Sequence, residues 1–521
     1  MSRRGLVAAL ILVTWAAMVG WHVRREYFQP ELARVVQGIG ALGPATHFYA
    51  VRMGGELIGL ATSRLDTLPE GFRLEERLNL ELRALAQEGT AVATTSLDLG
   101  PALETRSFVF SLTSDAGVFE ARGEVAGDSL LTVRVETGGG PQELSFRTAE
   151  APLASSVLPL RLALGGDLEV GRVRRAAVFD PSTVSVRDVE LEVLARDTLS
   201  LPDSAVRSEG DDRWRAAGHR PREAWQVAQR YGGVTVESWI DADGRVIRSS
   251  SPTGFTLERL PFELIEQERA DVRTAAAQGR PRGDVILATA IAADADPTTL
   301  ETSGELRFVL SGVDLDGFDL DGGRQTLVHD TLGVRREEWG ALDPGYSLPY
   351  PRMDLREALQ PEPLVQSGDP RIQRAARRAV RGVDRGDPVA VAARLAEAVH
   401  DMLEKEVSFS LPSALQVLET GAGDCNEHTV LYLAFARALG LPARSAVGLV
   451  HLDGSFFYHA WPEVWLGRWV AVDPTLGRVP AGAAHLRFTT GGLAQQVEIA
   501  RLIGSLRIEV VPPTAASGGE G

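Results

Sequence analysis

At 521 residues, with 44% hydrophobic and 24% charged residues, the chain has the composition of folded globular protein and the length of roughly two to four domains. A net charge of −16 excludes nucleic-acid binding through overall charge, and a single cysteine, Cys425, excludes a disulfide framework and every multi-thiolate metal site. Lysine also occurs once, at Lys405, so nearly all of the 54 basic residues are arginine.

The chain begins with Arg3 and Arg4, then an apolar run from Gly5 to Val23 without a formal charge, closed by Arg24 and Arg25. A helix over that run, rising about 1.5 Å per residue, can just cross a bilayer. Ala16-Ala17-Met18-Val19-Gly20 makes a poor cleavage site, so residues 1–25 are expected to be an uncleaved membrane anchor with its transmembrane helix at about 5–23. Equal basic flanks leave the positive-inside rule without a preference. An N-terminal anchor ahead of a long stretch of soluble composition places that stretch outside the cytoplasm, as in a periplasmic or cell-surface protein.

From 45 to 265 the hydrophobic pattern has period two. Phe72, Leu74, Leu78, Leu80 and Leu82 alternate with charged or polar residues, and Leu131, Val133 and Val135 do so again, with turn signals at Gly54-Gly55, Gly138-Gly139-Gly140 and Asp243-Gly244. Strands with one buried and one wet face follow this rule, so an antiparallel β-rich domain is expected. Asp241-Ala242-Asp243-Gly244 opens like a calcium loop but lacks the closing acid, and fits a hairpin turn better. Residues 266–283 are charged and Ala-rich, ending in Gly-Arg-Pro-Arg-Gly, which predicts a helix tail and linker. A small β segment, 284–365, follows and leads into the last domain. Within it, four carboxylates between Asp314 and Asp321 suit an exposed edge or hairpin better than a cation site, because they alternate with strand-like Leu and Phe.

From Gly368 the period becomes helical. Asp369-Pro370 and Asp387-Pro388 each supply a cap and a first-turn proline. The first of these helices carries arginines at 371, 374, 377, 378, 381 and 385, a stripe best taken as a solvated face. Further on, Gly423-Asp424-Cys425-Asn426-Glu427-His428 precedes an apolar run to Leu439 that stops at Gly440 and Pro442. Asp424 and Glu427 can form a capping box, which puts the single thiol at a helix N-terminus, where the macrodipole favours thiolate. Against this stands the plain alternative that Cys425 is a small buried residue.

Ala443–Leu452, Ser455–Val464 and Arg468–Asp473 are expected as a three-stranded meander. With Trp465, Leu466 and Gly467 as the second loop, Val464 pairs with Arg468 and His459 faces Asp473. A two-residue loop instead puts them on opposite faces, and Pro462 can disturb the register. A thiol, an imidazole and a carboxylate in line make an activated nucleophile. His428 and His451 are rival bases, and a zinc site would need Cys425 and His428 together with strand ligands.

Gly423-Asp424-Cys425, Gly440-Leu441-Pro442-Ala443-Arg444, His459-Ala460-Trp461-Pro462-Glu463-Val464-Trp465 and Trp469 to Asp473-Pro474-Thr475 resemble the transglutaminase-like superfamily over about residues 366–490. The three motifs, 34 and 14 residues apart, are more specific in order than singly. The resemblance implies an α+β, papain-like core with Cys425 as nucleophile, His459 as base and Asp473 as orienting acid, without cofactor or metal. Trp461 and Glu463 then look structural or substrate-flanking. No clear oxyanion donor precedes Cys425 beyond its own backbone N–H, and Gln416, nearby, receives no role. Residues 491–521 are expected to be a C-terminal extension with a disordered tail. What is implied is a membrane-anchored thiol acyltransferase or amidohydrolase acting on protein or peptide amides, with no nucleic-acid partner. The alternative is a non-catalytic scaffold whose β-rich domain binds an envelope partner.

Overall fold

The computed structural model describes residues 42–511 apart from Ala86, Asp128, Gly138, Gly139, Gly232, Pro281 and Pro412. The anchor expected at residues 1–25 and the tail beyond 511 lie outside the described residues. Among the described residues no helix is long and apolar enough to cross a membrane.

Fourteen antiparallel strands between Ala45 and Arg259 form one sheet. Eight strands from Ala45 to Arg147 meander in one direction and six from Val173 to Arg259 in the other. The two meanders join where Ala45–Met53 pairs with Phe255–Arg259. The period-two pattern is the cause: Phe72 and Leu74 are buried while Arg73 and Glu75 are exposed, and Leu131, Val133 and Val135 are buried in the same way. The connection between the meanders carries a short helix, Leu158–Leu164. Its Leu160 packs with Phe72, Leu74 and Phe108, and its Leu158 and Leu162 pack with Val189, Val227 and Ile240. One helix thus serves both halves of the sheet. Asp241 makes a hairpin turn, its Oδ1 accepting from the N–H groups of Asp243 and Arg245 at 3.2 and 2.9 Å.

The helix tail expected at the start of residues 266–283 is present, and it is docked. A helix, Phe262–Ala277, docks on the sheet through fully buried Ile265. Arg269, Arg273 and Arg282 converge on Glu81, whose carboxyl they hold down at about 2 against the opposing effect of burial. Charges that suggest a solvated linker here form a clamp. The acidic run is likewise occupied by its own fold: Asp319 receives Arg487 at 3.2 Å and Thr490 Oγ1 at 3.1 Å, while Asp314 accepts from the Asp316 N–H at 3.0 Å. Beside it stands a four-stranded sheet in which Glu305–Ser311 pairs with Thr331–Arg335 on one side and Arg507–Val511 on the other. The segment expected as a C-terminal extension therefore returns to complete a sheet begun two hundred residues earlier.

The last domain sets helices Pro370–Ala379, Pro388–Met402 and Ala414–Thr420 around a central helix, Cys425–Ala438, packed on a sheet. That sheet runs from the short strand Ile291–Ala292 through Ser455–Trp465 and Ala443–Leu452 to His485–Thr490, with Trp469–Ala471 paired to Ser455–Trp465. Ile372, Ala375, Ala376 and Ala379 bury one face of the first helix, and Arg374, Arg377, Arg378, Arg381 and Arg385 are exposed. The chain is mixed α and β, a large antiparallel sheet joined to a helix-and-sheet domain. The two are fastened together: Gln142 Nε2 donates to the Pro363 carbonyl at 2.9 Å, Gln416 Nε2 to the Ala116 carbonyl at 2.6 Å, and Leu364 lies in one cluster with Phe72 and Phe108.

Candidate active site

The thiol is placed by a helix start. The Asn426 N–H donates to Asp424 Oδ1 and the Asp424 N–H to Glu427 Oε2, both at 2.9 Å, completing the capping box. Such a cap is worth about 1 kcal/mol and, more to the point here, fixes where the helix begins. Gly423, at φ +153°, brings the chain in against the Glu427 side chain, where a β-carbon has no room. A two-residue parallel ladder pairs Gly423 with Lys405, so the chain's single lysine lies beside the helix mouth.

The expected thiolate preference is reversed. Burial, the carboxylates of Asp424 and Glu427, and that of Asp473 push the Cys425 thiol well above its ordinary range, and a hydrogen bond from the Ala460 N–H only partly offsets them. The macrodipole acts within the first turn, but so do the two capping carboxylates. On balance these effects favour the protonated form of the thiol over the thiolate.

His459 is the residue next to Ala460 in the chain. Its Nε2 meets Asp473 Oδ2 at 2.9 Å, which leaves Nδ1 uncommitted to that carboxylate. The two residues come together by a register other than the expected one. Trp465 pairs with Trp469 and Val464 with Val470, so the loop is Leu466-Gly467-Arg468 and the ladder ends at Ala471. Asp473 is therefore no cross-strand partner of His459. It sits in the following loop, where its backbone exchanges hydrogen bonds with Arg478 at 2.9 Å and its Oδ1 accepts from the Leu476 N–H at 3.0 Å. Gly467, at φ +81°, is the loop's left-handed residue, and a β-carbon there would stand 2.9 Å from the Asp343 carbonyl.

A second histidine, which the sequence reading did not single out, shares the carboxylate. His485 Nε2 also meets Asp473 Oδ2 at 2.9 Å, from the strand on the far side of Ala443–Leu452. His485 is fully buried, its pKa lowered to about 4 by burial despite the neighbouring carboxylate, so it is neutral and donates through Nε2. Burial alone would raise Asp473, but its pairing with His459 and the hydrogen bond of His485 hold its carboxyl well below the usual range. Trp461 covers the group, stacked on His459 at 6.0 Å between centroids and edge-on to His485 at 5.3 Å. The only sequence signal for His485 is a titratable residue at a buried strand position.

The rival bases are elsewhere engaged. His428 Nδ1 donates to the Asp424 carbonyl at 2.7 Å, and burial lowers its pKa. His451 is buried against Phe456, with neither ring nitrogen hydrogen-bonded. Gln416 is committed to the Ala116 carbonyl at 2.6 Å. Glu463 is 1% exposed and held by Arg444 at 2.7 Å and Arg487 at 3.2 Å, which makes it a clamp between strands. Among the described residues, the group whose ligand atoms cluster closely enough for a metal ion is His459, Asp473 and His485, not Cys425 with His428.

The structure thus brings together a thiol at a helix start that accepts from the Ala460 N–H, a neighbouring strand histidine, His459, and the buried Asp473 carboxylate that His459 meets. Residues 376–474 match the family model of the transglutaminase-like superfamily, so the chain carries a transglutaminase-like domain. No curated protein matches the chain. Among solved structures it is similar to a candidate cysteine protease from Cytophaga hutchinsonii, at 16% identity and a TM-score of 0.28, over 40% of this chain and 81% of that one. It is also similar to a DUF1089 family protein from Pseudomonas aeruginosa, at 12% identity and a TM-score of 0.22, over 36% of this chain and 87% of that one. Likeness of that order says nothing about activity.

Proposed function

We propose that the protein is a thiol-dependent acyltransferase or amidohydrolase that acts on protein or peptide amides through a thioester on Cys425. The observation that supports this most directly is the bond from His459 Nε2 to Asp473, which orients the imidazole and leaves its Nδ1 off the carboxylate, one residue before the Ala460 N–H that bonds to the thiol. In the first half-reaction His459 takes the Cys425 proton as sulfur attacks the amide carbon. The C–N bond then breaks, and the departing amine leaves with that proton. In the second, an amine or water attacks the thioester, His459 takes its proton, and the sulfur leaves as thiol. The Cys425 backbone N–H is the oxyanion donor we assign.

The raised thiol favours a second reading, a non-catalytic scaffold whose β-rich domain binds an envelope partner. Intact-mass measurement separates the two. An adduct on Cys425 after incubation with amide substrates, shortened by an added primary amine and absent in Cys425→Ala, supports catalysis. Full function of Cys425→Ala in a deletion strain supports the scaffold. We further propose that residues 5–23 anchor the chain with residues 42–511 outside the cytoplasm. A C-terminal reporter active only in the cytoplasm should stay silent, and activity from it would overturn that placement.

A further inference from the structure

The large sheet holds a hollow of about 440 Å³ between the helix Leu158–Leu164 and the sheet face that the helix covers. Protein interiors leave few spaces larger than a water molecule, and this one lies in the range of small-molecule sites, ~300–1,000 Å³. Leu65, Leu74, Leu78, Val236 and Leu257 line it from the strands and Leu160 from the helix, and more of its wall is carbon than nitrogen or oxygen. A second hollow of about 210 Å³, walled by Phe108, Phe110, Leu131 and Phe179, adjoins it where both share Glu76, Thr95, Ser155 and Ser156.

The polar side chains of the larger hollow are mostly matched with one another. Ser238 Oγ and Ser249 Oγ lie 2.9 Å apart, Tyr231 OH donates to Gln229 Oε1 at 2.5 Å, and Tyr49 OH donates to the Val246 carbonyl at 3.2 Å. Arg77 alternates with Glu76 and Leu78, so its side chain lies on the outer face, where Nε donates to Asn79 Oδ1 at 3.1 Å. Burial pushes the Glu76 carboxyl up, toward its neutral form, against a hydrogen bond from Ser156. His47 is held at about 4, hence neutral at pH 7, by burial and by Arg259 and Arg245. Arg245 is different. Its neighbour Asp241 pairs with Arg259 at 3.0 Å, while Arg245 is bound only by neutral groups, His47 Nε2 at 3.1 Å and the Gly43 carbonyl at 2.8 Å. The hollow therefore offers aliphatic walls and, among the described residues, one cation without a carboxylate partner.

We propose that this hollow binds a single-chain amphiphile with an anionic head, its aliphatic chain against the leucines and its head at Arg245. The β-rich domain, which supplies no group to the thiol chemistry, is then a ligand-binding domain, whether or not Cys425 reacts.

The test is photolabelling of the full chain with a palmitic acid analogue that carries a diazirine on its chain, followed by peptide mass spectrometry. On irradiation the diazirine loses N2 and its carbene inserts into a neighbouring C–H or O–H bond. Adducts should fall on residues that line the hollow and be suppressed by excess palmitate. In Arg245→Gln the palmitate concentration for half-maximal protection should rise roughly tenfold, the loss of one charge-assisted contact, while that of uncharged hexadecanol stays unchanged. Ala93→Leu, which narrows the hollow from the other side and leaves Arg245 in place, should weaken both competitors severalfold with Tm and Cys425 alkylation unchanged. Lysophosphatidylglycerol as competitor distinguishes a lysolipid from a free fatty acid as the source of the chain. Adducts spread over exposed apolar residues, or half-protection unmoved by both substitutions, would overturn the assignment.

Discussion

His459 and His485 approach the same oxygen, Asp473 Oδ2, each through Nε2 at 2.9 Å. If His459 is the base proposed above, His485 is a positioning residue, because it meets Asp473 and not the thiol. A hydrogen bond to the ionised carboxylate favours that form, so removing the donor raises the Asp473 pKa and loosens the imidazole. His485→Leu should lower kcat roughly tenfold with KM little changed, and move the acid limb of the pH–rate profile upward. His485→Gln, which keeps an N–H donor, should restore most of the loss. A Leu variant whose profile keeps its wild-type limb would reduce His485 to packing.

His485 and Asp473 also contribute to the response to acid. The folded chain holds His485 at about 4 against an ordinary 6.5, so it prefers the neutral form. Its contribution to stability is complete above about 6.5 and is lost as pH falls toward 4. Asp473 is depressed below its ordinary 3.8, and its contribution persists through that window, to be lost only at lower pH as the folded carboxyl takes its proton. Thermal melts should therefore show Tm falling between pH 7 and pH 4.5, and His485→Gln should flatten that slope. An unchanged slope would assign the acid sensitivity to other groups.

Asp424 both caps the helix and raises the thiol, and these effects can be separated. Asparagine caps as well as aspartate but carries no charge. In Asp424→Asn the midpoint of Cys425 alkylation against pH should shift downward, toward the ordinary thiol value of about 8.5, with the melting temperature nearly unchanged. A midpoint that stays where it is would leave burial and the carboxylates of Glu427 and Asp473 as the causes.

Gly467 carries the turn that delivers Asp473. Gly467→Ala meets both a left-handed backbone and the Asp343 carbonyl, so it should cost on the order of 1–2 kcal/mol and reduce activity without touching the triad. A variant of wild-type stability and rate would show the turn to be adaptable.

How much of this was legible in the sequence varies by element. The capped helix mouth at Cys425 and the helix starts at Asp369-Pro370 and Asp387-Pro388 follow from local rules, since a cap is built within four residues. The period-two pattern from 45 to 265 likewise marks antiparallel strands, because alternation is a property of each strand alone. The His459–Asp473 encounter was anticipated for the wrong reason. Ladder counting assumes that the strand continues, whereas the ladder stops at Ala471 and the loop returns Asp473 to the histidine. The clamp of Arg269, Arg273 and Arg282 on Glu81 was hidden because charge runs look alike whether solvated or paired.

The lone cysteine, the order of three motifs and the alternation of the strands were determined by the sequence itself, through residue identity and short-range geometry. The protonation state of Cys425, the presence of His485 on the triad carboxylate, the return of residues 507–511 to the sheet at Glu305–Ser311, and the hollow under the helix Leu158–Leu164 were decided only by tertiary structure. Each of these depends on desolvation or on contacts between residues far apart in the chain, and neither leaves a period or a motif behind.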